Sequence, residues 1–190
     1  MLIELLIAML INLIVLGITC GQFIFSDRNY NNQEQIARAR ENVRMAMMNI
    51  TRNAIMAGYD PTGVNQGSIP ANKFSGVTCN PEQIEIKMDS NGDGIIGSGE
   101  DIVYQYDSAN ERINRTAGGQ TIALPGRMQA FTFAYLDTNG NTTADNSSVR
   151  TIRVTITGKT DLPDPSYKSN NGYRTFTLTS DISPRNLAIN

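Results

Sequence analysis

The residues 89–100 carry the clearest chemical motif in the sequence. Asp89, Asn91, Asp93, Gly94 and Glu100 stand at the spacing D-x-[DN]-x-[DN]-G-x5-E, which is the pattern of a calcium-binding loop. In such a loop, side-chain oxygens at alternate positions converge on one ion, a glycine permits a sharp turn, and a glutamate closes the site with both of its oxygens. The carbonyl of Ile95 stands at the position that adds a backbone ligand. The sequence therefore predicts a structural Ca²⁺ site, against the alternative of a polar turn rich in Asn-Gly and Asp-Gly pairs.

The flanks of this loop differ from those of an EF-hand. The segments IEIKM and IVYQY on its two sides alternate apolar and polar residues, as strands do. We expect the loop to join two strands of a hairpin instead of two helices.

A second acidic segment, YLDTNGNTTADNSS, repeats part of this spacing. Asp137, Asn139, Asn141 and Asp145 place oxygens at positions one, three, five and nine, but no glutamate closes the loop. We interpret the segment as a solvated turn, with a weak second metal site as the alternative.

The first 25 residues contain one charge, Glu4, within an apolar run that is long enough to cross a membrane. A carboxylate in that setting costs about 2.5–3.5 kcal/mol on insertion scales, so its presence suggests a function. The nearest available partner is a positive charge that is also in the membrane, such as the N-terminal ammonium of a neighbouring copy. The sequence predicts that Glu4 is an assembly residue.

Composition excludes several classes of function. The chain of 190 residues has a net charge of −2 and contains no histidine. Nucleic-acid binding is therefore not inferred, because it usually requires a basic patch, and imidazole catalysis is excluded. The sequence lacks the common hydrolase, P-loop and metalloprotease motifs, so we predict that the chain is not an enzyme. Cys20 and Cys79 could form a disulfide bond, but their surroundings do not favour one.

The segment LIELLIAMLI resembles the N-terminus of type IV pilins and type II secretion pseudopilins. The resemblance implies cleavage of a leader by a prepilin peptidase, and a glutamate at the fifth mature position that pairs with the adjacent subunit. Glu4 stands one position early, so a mature first residue, usually an N-methylated phenylalanine, is expected before Met1. The segments RNAIMAGYDPTG and RTFTLTSDISPRNLAIN resemble the larger β-rich heads of minor pilins and the J-type pseudopilin, although the C-terminal cysteine pair of well-known major pilins is missing.

We expect three regions along the chain: a hydrophobic membrane and filament-core helix over 1–25, its amphipathic continuation over 26–58, and a β-rich head over 59–190. The continuation carries one apolar stripe at alternating three- and four-residue steps, and Gly58 with Pro61 marks its end. The stripe comprises Ile36, Ala39, Val43, Met47, Ile50, Ala54 and Ala57. The predicted fold class is therefore α+β, a long N-terminal helix packed on a mainly antiparallel head.

Five segments of the head alternate apolar and polar residues, as half-buried antiparallel strands do. Their apolar residues are Ile84, Ile86 and Met88; Ile102, Tyr104 and Tyr106; Phe131, Phe133 and Tyr135; Ile152, Val154 and Ile156; and Phe176 and Leu178. The stretch from Thr62 to Pro81 has no periodicity and is predicted to be a loop. The helix is also expected to unwind partly around Leu16–Gln22, between two glycines, when a filament assembles.

These observations favour a structural subunit of a type IV pilus-like filament that polymerises with copies of itself or other pilins. The subunit would lie in the inner membrane of a bacterium before assembly and on the extracellular surface afterwards. Two alternatives remain open from the sequence. One is a minor pilin or pseudopilin that primes or tips a filament of other subunits, and the other is a membrane-tethered calcium-binding module that never polymerises.

Overall fold

A single long helix dominates the N-terminal third of the protein. The computed structural model describes residues 2–63 and 73–187, and its first element is helix α1, Leu2–Ile55. At 1.5 Å per residue, its 54 residues span about 81 Å. It is long and apolar enough at its N-terminal end to cross a membrane, with a mean hydropathy of 2.5 over its most apolar window of 18 residues.

The two ends of α1 have different surroundings. Every side chain from Leu2 to Asn31 is exposed. The C-terminal end instead packs on the head through one face, and the prediction of a single apolar stripe is confirmed there. Its buried residues are Ala39, Val43, Ala46, Met47, Ile50 and Ala54, whereas Ile36 is half-buried.

The helix ends three residues earlier than the sequence suggested. Two tight turns follow Ile55, because the amides of Met56 and Ala57 donate to carbonyls three residues back. Gly58 then adopts a φ of +76°, a conformation that glycine enters at little cost. Its amide donates to the carbonyl of Lys87 at 2.9 Å, so this turn leads the chain directly onto the first sheet.

The first sheet is a five-stranded antiparallel meander in the order β1-β2-β3-β4-β5. Its strands are β1 Val77–Cys79, β2 Gln83–Lys87, β3 Asp101–Asp107, β4 Arg112–Ala117 and β5 Gln120–Ala123. The predicted strands around Ile84 and Ile102 are confirmed. The predicted loop over 62–81 is wrong at its end, where β1 forms, and residues 64–72 lie outside the described residues. Strands β4 and β5 were not predicted from the sequence.

The second sheet has three antiparallel strands in the order β6-β7-β8. They are β6 Arg127–Leu136, β7 Thr151–Lys159 and β8 Thr175–Ile182, and all three were predicted from alternation. Short 3-10 helices, Asn146–Ser148 and Asn170–Gly172, lie in the two connections.

Helix α1 lies against β7 and β8 of this second sheet. Gly158 on β7 makes the close approach possible, because a Cβ at this position would overlap the side chain of Val43 and lie 3.4 Å from the Ala39 carbonyl oxygen. One continuous core joins the helix to both sheets. Its fully buried members include Ile50, Tyr104, Ile113, Met128 and Ile152.

Candidate metal and assembly sites

The acidic loop connects β2 to β3, as the sequence predicted. Lys87 at the end of β2 pairs with Asp101 at the start of β3, so residues 88–100 form the connection between two hairpin strands. The amide of Met88 donates to the carbonyl of Glu100 at 3.1 Å, which closes the base of the loop. The amide of Asp89 donates to the carbonyl of Tyr59 at 2.8 Å. The loop is therefore joined to the turn that follows α1.

Three carboxylates converge inside this loop. One oxygen from each of Asp89, Asp93 and Glu100 lies within 4.8 Å of the others. Calcium takes oxygen ligands at 2.3–2.6 Å, so ligands on opposite sides of one ion lie about 5 Å apart. Asp89 and Glu100 are also buried, at 0% and 4% exposure, and no lysine or arginine of the described residues forms an ion pair with either. The residues present fit a divalent cation.

Hydrogen bonds from the backbone organise these carboxylates. Asp89 accepts from the amides of Gly92 at 2.7 Å and Gly94 at 2.9 Å. Both glycines have positive φ, +77° and +78°, which folds the loop around the Asp89 side chain. Asp93 accepts from the amide of Ile95 at 2.9 Å and the side-chain amide of Asn91 at 2.9 Å. The motif residues therefore share one network.

Glu100 accepts four hydrogen bonds at the bottom of the loop. Its Oε2 accepts from the Gly97 amide at 2.7 Å, and its Oε1 accepts from the Ser90 amide and hydroxyl and the Asn91 amide at 2.8–3.1 Å. The Gly97 bond, with the bonds from Ser90 and Asn91, holds the pKa of Glu100 below its ordinary value despite the opposing effect of burial. Bidentate ligation by Glu100 would replace the bonds to Oε1, because that oxygen has its acceptor positions filled.

Two contributors to this site were not predicted from the sequence. The Thr62 hydroxyl, beyond the helix, lies 3.4 Å from Asp89 Oδ2, and Ser90 donates to Glu100 through both its amide and hydroxyl. Ser90 stands inside the motif at a position that the motif leaves open, so a hydrogen-bond argument could have identified it. Thr62 is distant in sequence and gave no such signal.

The second acidic segment is organised differently. Asp137 Oδ1 accepts from the amides of Asn139 and Asn141 at 2.8 and 2.9 Å. Asp145 instead caps the short 3-10 helix, accepting from the Ser147 amide and from both serine hydroxyls that follow. No hydrogen bond joins Asp145 to the other three residues in the described parts of the chain. The segment uses its oxygens in two separate local turns, and its metal site stays a prediction.

Glu4 lies in the first turn of α1 and is exposed. A negative charge there is favourable, because the N-terminal end of a helix is the positive end of its dipole. Cys20 and Cys79 are both free thiols, the first exposed on α1 and the second half-buried in β1. Burial and the nearby Asp145 carboxylate raise the pKa of Cys79.

No protein-family profile matches the sequence, and no curated protein matches it either. Its fold does match a solved structure, a type IV-like pilin from Thermus thermophilus, with a TM-score of 0.50 at 12% sequence identity. The match covers 79% of this chain and 98% of that one. At this level of identity the likeness concerns the fold, and the predicted α+β architecture is confirmed. The chain has a type IV pilin-like fold, a long N-terminal helix packed on antiparallel sheets.

Proposed function

We propose that this protein is a structural subunit of a type IV pilus-like surface filament. The observation that carries the proposal is that the first thirty residues of α1 are exposed, whereas the C-terminal end of the same helix is packed on the head. An exposed apolar patch of this size requires a lipid or protein environment. Membrane burial before assembly and packing against neighbouring helices afterwards would satisfy it in turn.

Glu4 is the proposed assembly latch. In the membrane it would attract the N-terminal ammonium of a neighbouring subunit, since each charge lowers the cost of burying the other. A prepilin peptidase would generate that ammonium. Copies of this chain or other pilins are the proposed partners, with the inner membrane of a bacterium as the location before assembly and the cell surface as the location afterwards.

The loop 89–100 is proposed to hold a structural calcium ion through Asp89, Asn91, Asp93, Glu100 and the Ile95 carbonyl. The ion would balance carboxylates that no described basic side chain pairs with, and it would fix the β2–β3 connection to the turn after α1. Its role would be to stiffen the head, and the proposal includes no catalytic step. Millimolar calcium outside the cell suffices to fill a site of modest affinity.

The decisive experiment is to shear surface filaments from the source cells and to quantify this chain in them by mass spectrometry, alongside electron microscopy. Dominance of the chain in the filament mass supports a building subunit. Presence at low abundance in filaments made of another pilin assigns it to the tip or to priming. Complete absence from filaments, with the chain retained in membranes, would overturn polymerisation and favour the membrane-tethered module.

A further inference from the structure

A positively charged groove lies between α1 and the β4–β5 hairpin. It has a volume of about 410 Å³ and is lined by Asn49, Arg52, Asn53, Arg115, Ile122 and Leu124. Arg52 is contributed by the last turn of α1, and Arg115 by β4. The groove therefore places two guanidinium groups from different elements on one concave surface of a chain whose net charge is negative.

Neither arginine forms an ion pair with an acidic side chain of the described residues. Four other arginines form ion pairs with carboxylates at Glu34, Glu111, Asp181 and Asp164. Arg52 and Arg115 form none within the residues that the structure describes. A positive charge on Arg52 is favourable because this residue lies at the C-terminal end of α1, the negative end of the helix dipole. Arg115 lies on a strand, so the dipole does not explain its presence.

Two residues that line the groove, Asn49 and Asn53, belong to one polar network. The hydroxyl of Tyr104, a fully buried residue, accepts from Asn53 Nδ2 at 2.5 Å and donates to Asn49 Oδ1 at 2.7 Å. The positive charge of Arg115 lies close enough to this hydroxyl to oppose the rise that burial causes in the pKa of Tyr104. The Arg115 guanidinium carries five N–H donors in a fixed planar arrangement. The Asn49 Nδ2 amide has no acceptor among the described residues.

We propose that this groove binds an oxyanion, a carboxylate or phosphate group, through Arg52 and Arg115. Guanidinium groups match the planar or tetrahedral oxygens of such anions with paired hydrogen bonds, and the Asn49 amide supplies a further donor. Ile122 at the rim is 58% exposed, which favours a ligand with an apolar part beside its acidic group. The anion has two possible sources, a free small molecule or an acidic side chain of a second copy of this chain.

The test begins with inorganic phosphate, titrated into the full-length chain in neutral detergent at constant ionic strength. Binding would be followed by calorimetry and by NMR signals of the arginine Nε–H groups. Saturable binding is expected, and Arg52→Lys and Arg115→Lys should each weaken it about tenfold, because lysine keeps the charge but loses the paired geometry. Lysine at position 52 also keeps the favourable charge at the helix end.

Two matched controls remove charge elsewhere on the same elements. Arg44 on α1 and Arg112 on β4 are exposed, lie outside the groove and form no ion pair among the described residues. Arg44→Gln and Arg112→Gln should leave phosphate affinity unchanged. Equal losses in these variants would show that phosphate responds to overall charge, and would overturn the proposal.

Self-association of the same variants, measured by analytical ultracentrifugation, separates the two sources. If phosphate binds and self-association is unaffected by the two lysine variants, the ligand is a free anion. If the lysine variants weaken self-association and phosphate competes with it, the anion belongs to a second copy. If phosphate does not bind and the lysine variants leave self-association unchanged, the proposal is overturned. Phosphate binding to the dispersed chain does not depend on filament formation, so this failure is distinct from failure of the proposed function.

Discussion

The two halves of α1 differ in what holds them, although they form one uninterrupted helix. The N-terminal half exposes its whole circumference, including leucine and isoleucine side chains that are 52–77% exposed. The C-terminal half buries a single stripe against β7 and β8 and keeps charged residues on the other side. The first pattern is typical of a helix surrounded by lipid or by other helices, and the second of a helix in a globular core. One helix therefore has two segments whose surface patterns suit different surroundings.

Breaking the N-terminal half should abolish assembly without affecting the head. Glu4→Ala is expected to prevent incorporation into filaments, because the proposed neutralising partner of the neighbouring N-terminus is lost. Counting this chain in sheared filaments by mass spectrometry would measure the loss. Glu41→Ala, which removes an exposed carboxylate from the head half of the same helix, should assemble normally. Normal filaments from Glu4→Ala would discard the latch.

Breaking the C-terminal half should destabilise the head. Ile50 is fully buried, so Ile50→Ala should lower the free energy of unfolding by about 2–5 kcal/mol, through lost burial and the cavity left behind. Chemical denaturation in detergent, followed by tyrosine fluorescence of the head, would measure the change. Leu10→Ala, in the exposed half, should leave this transition unmoved. A comparable loss in Leu10→Ala would contradict the independence of the two halves.

Removing calcium should destabilise the head near the C-terminal end of α1. At about 2 mM calcium, a site with the affinity of extracellular modules adds about 0.6–1.8 kcal/mol of stability. A chelator should lower the thermal midpoint accordingly, and Glu100→Gln should make the midpoint insensitive to calcium. Asp137→Asn, in the second acidic segment, should retain the calcium response. A response that survives in Glu100→Gln would place the ion elsewhere.

Acid should also weaken the head through Asp164, which is buried beyond β7. Hydrogen bonds from Ser166 and from Arg174 lower the pKa of Asp164 from 3.8 to about 2. Because folding lowers this pKa, the Asp164 carboxylate stabilises the fold at pH values above 3.8. This stability is lost as the pH falls from 3.8 to about 2. Asp164→Asn should remove that pH dependence from the thermal midpoint, whereas Asp161→Asn, in the same connection, should retain it.

Alternation and motif spacing predicted those parts of the fold where one face is buried. The strands around Ile84, Ile102, Phe131, Ile152 and Phe176 have apolar residues at every second position. In contrast, β5 is exposed along its whole length and β4 buries only Ile113. The hairpin signal in this region was Gly118-Gly119, whose residues both have positive φ. The hydroxyl oxygens of Thr116 and Thr121 form a hydrogen bond across this hairpin at 2.8 Å.

The acidic loop could be predicted because all of its motif residues lie within twelve positions. The groove around Arg52 and Arg115 could not, since it depends on a helix and a strand that lie 63 residues apart in sequence and meet only through the core. The same reason hid Thr62 from the prediction of the acidic loop. Local spacing identifies a site made by one turn, whereas a site made by two elements requires their packing.

A small rotation of α1 at its contact with Gly158 would cause a large displacement of the N-terminal end of the helix. Val43, which faces this glycine, lies 41 residues from Leu2, a distance of about 61 Å along the helix. A tilt of about 5° at that contact would displace the N-terminal end by about 5 Å, half the diameter of a helix. If the chain forms the proposed filament, a methyl group added at Gly158 would therefore change the distance of the heads from the filament axis, and with it the filament diameter.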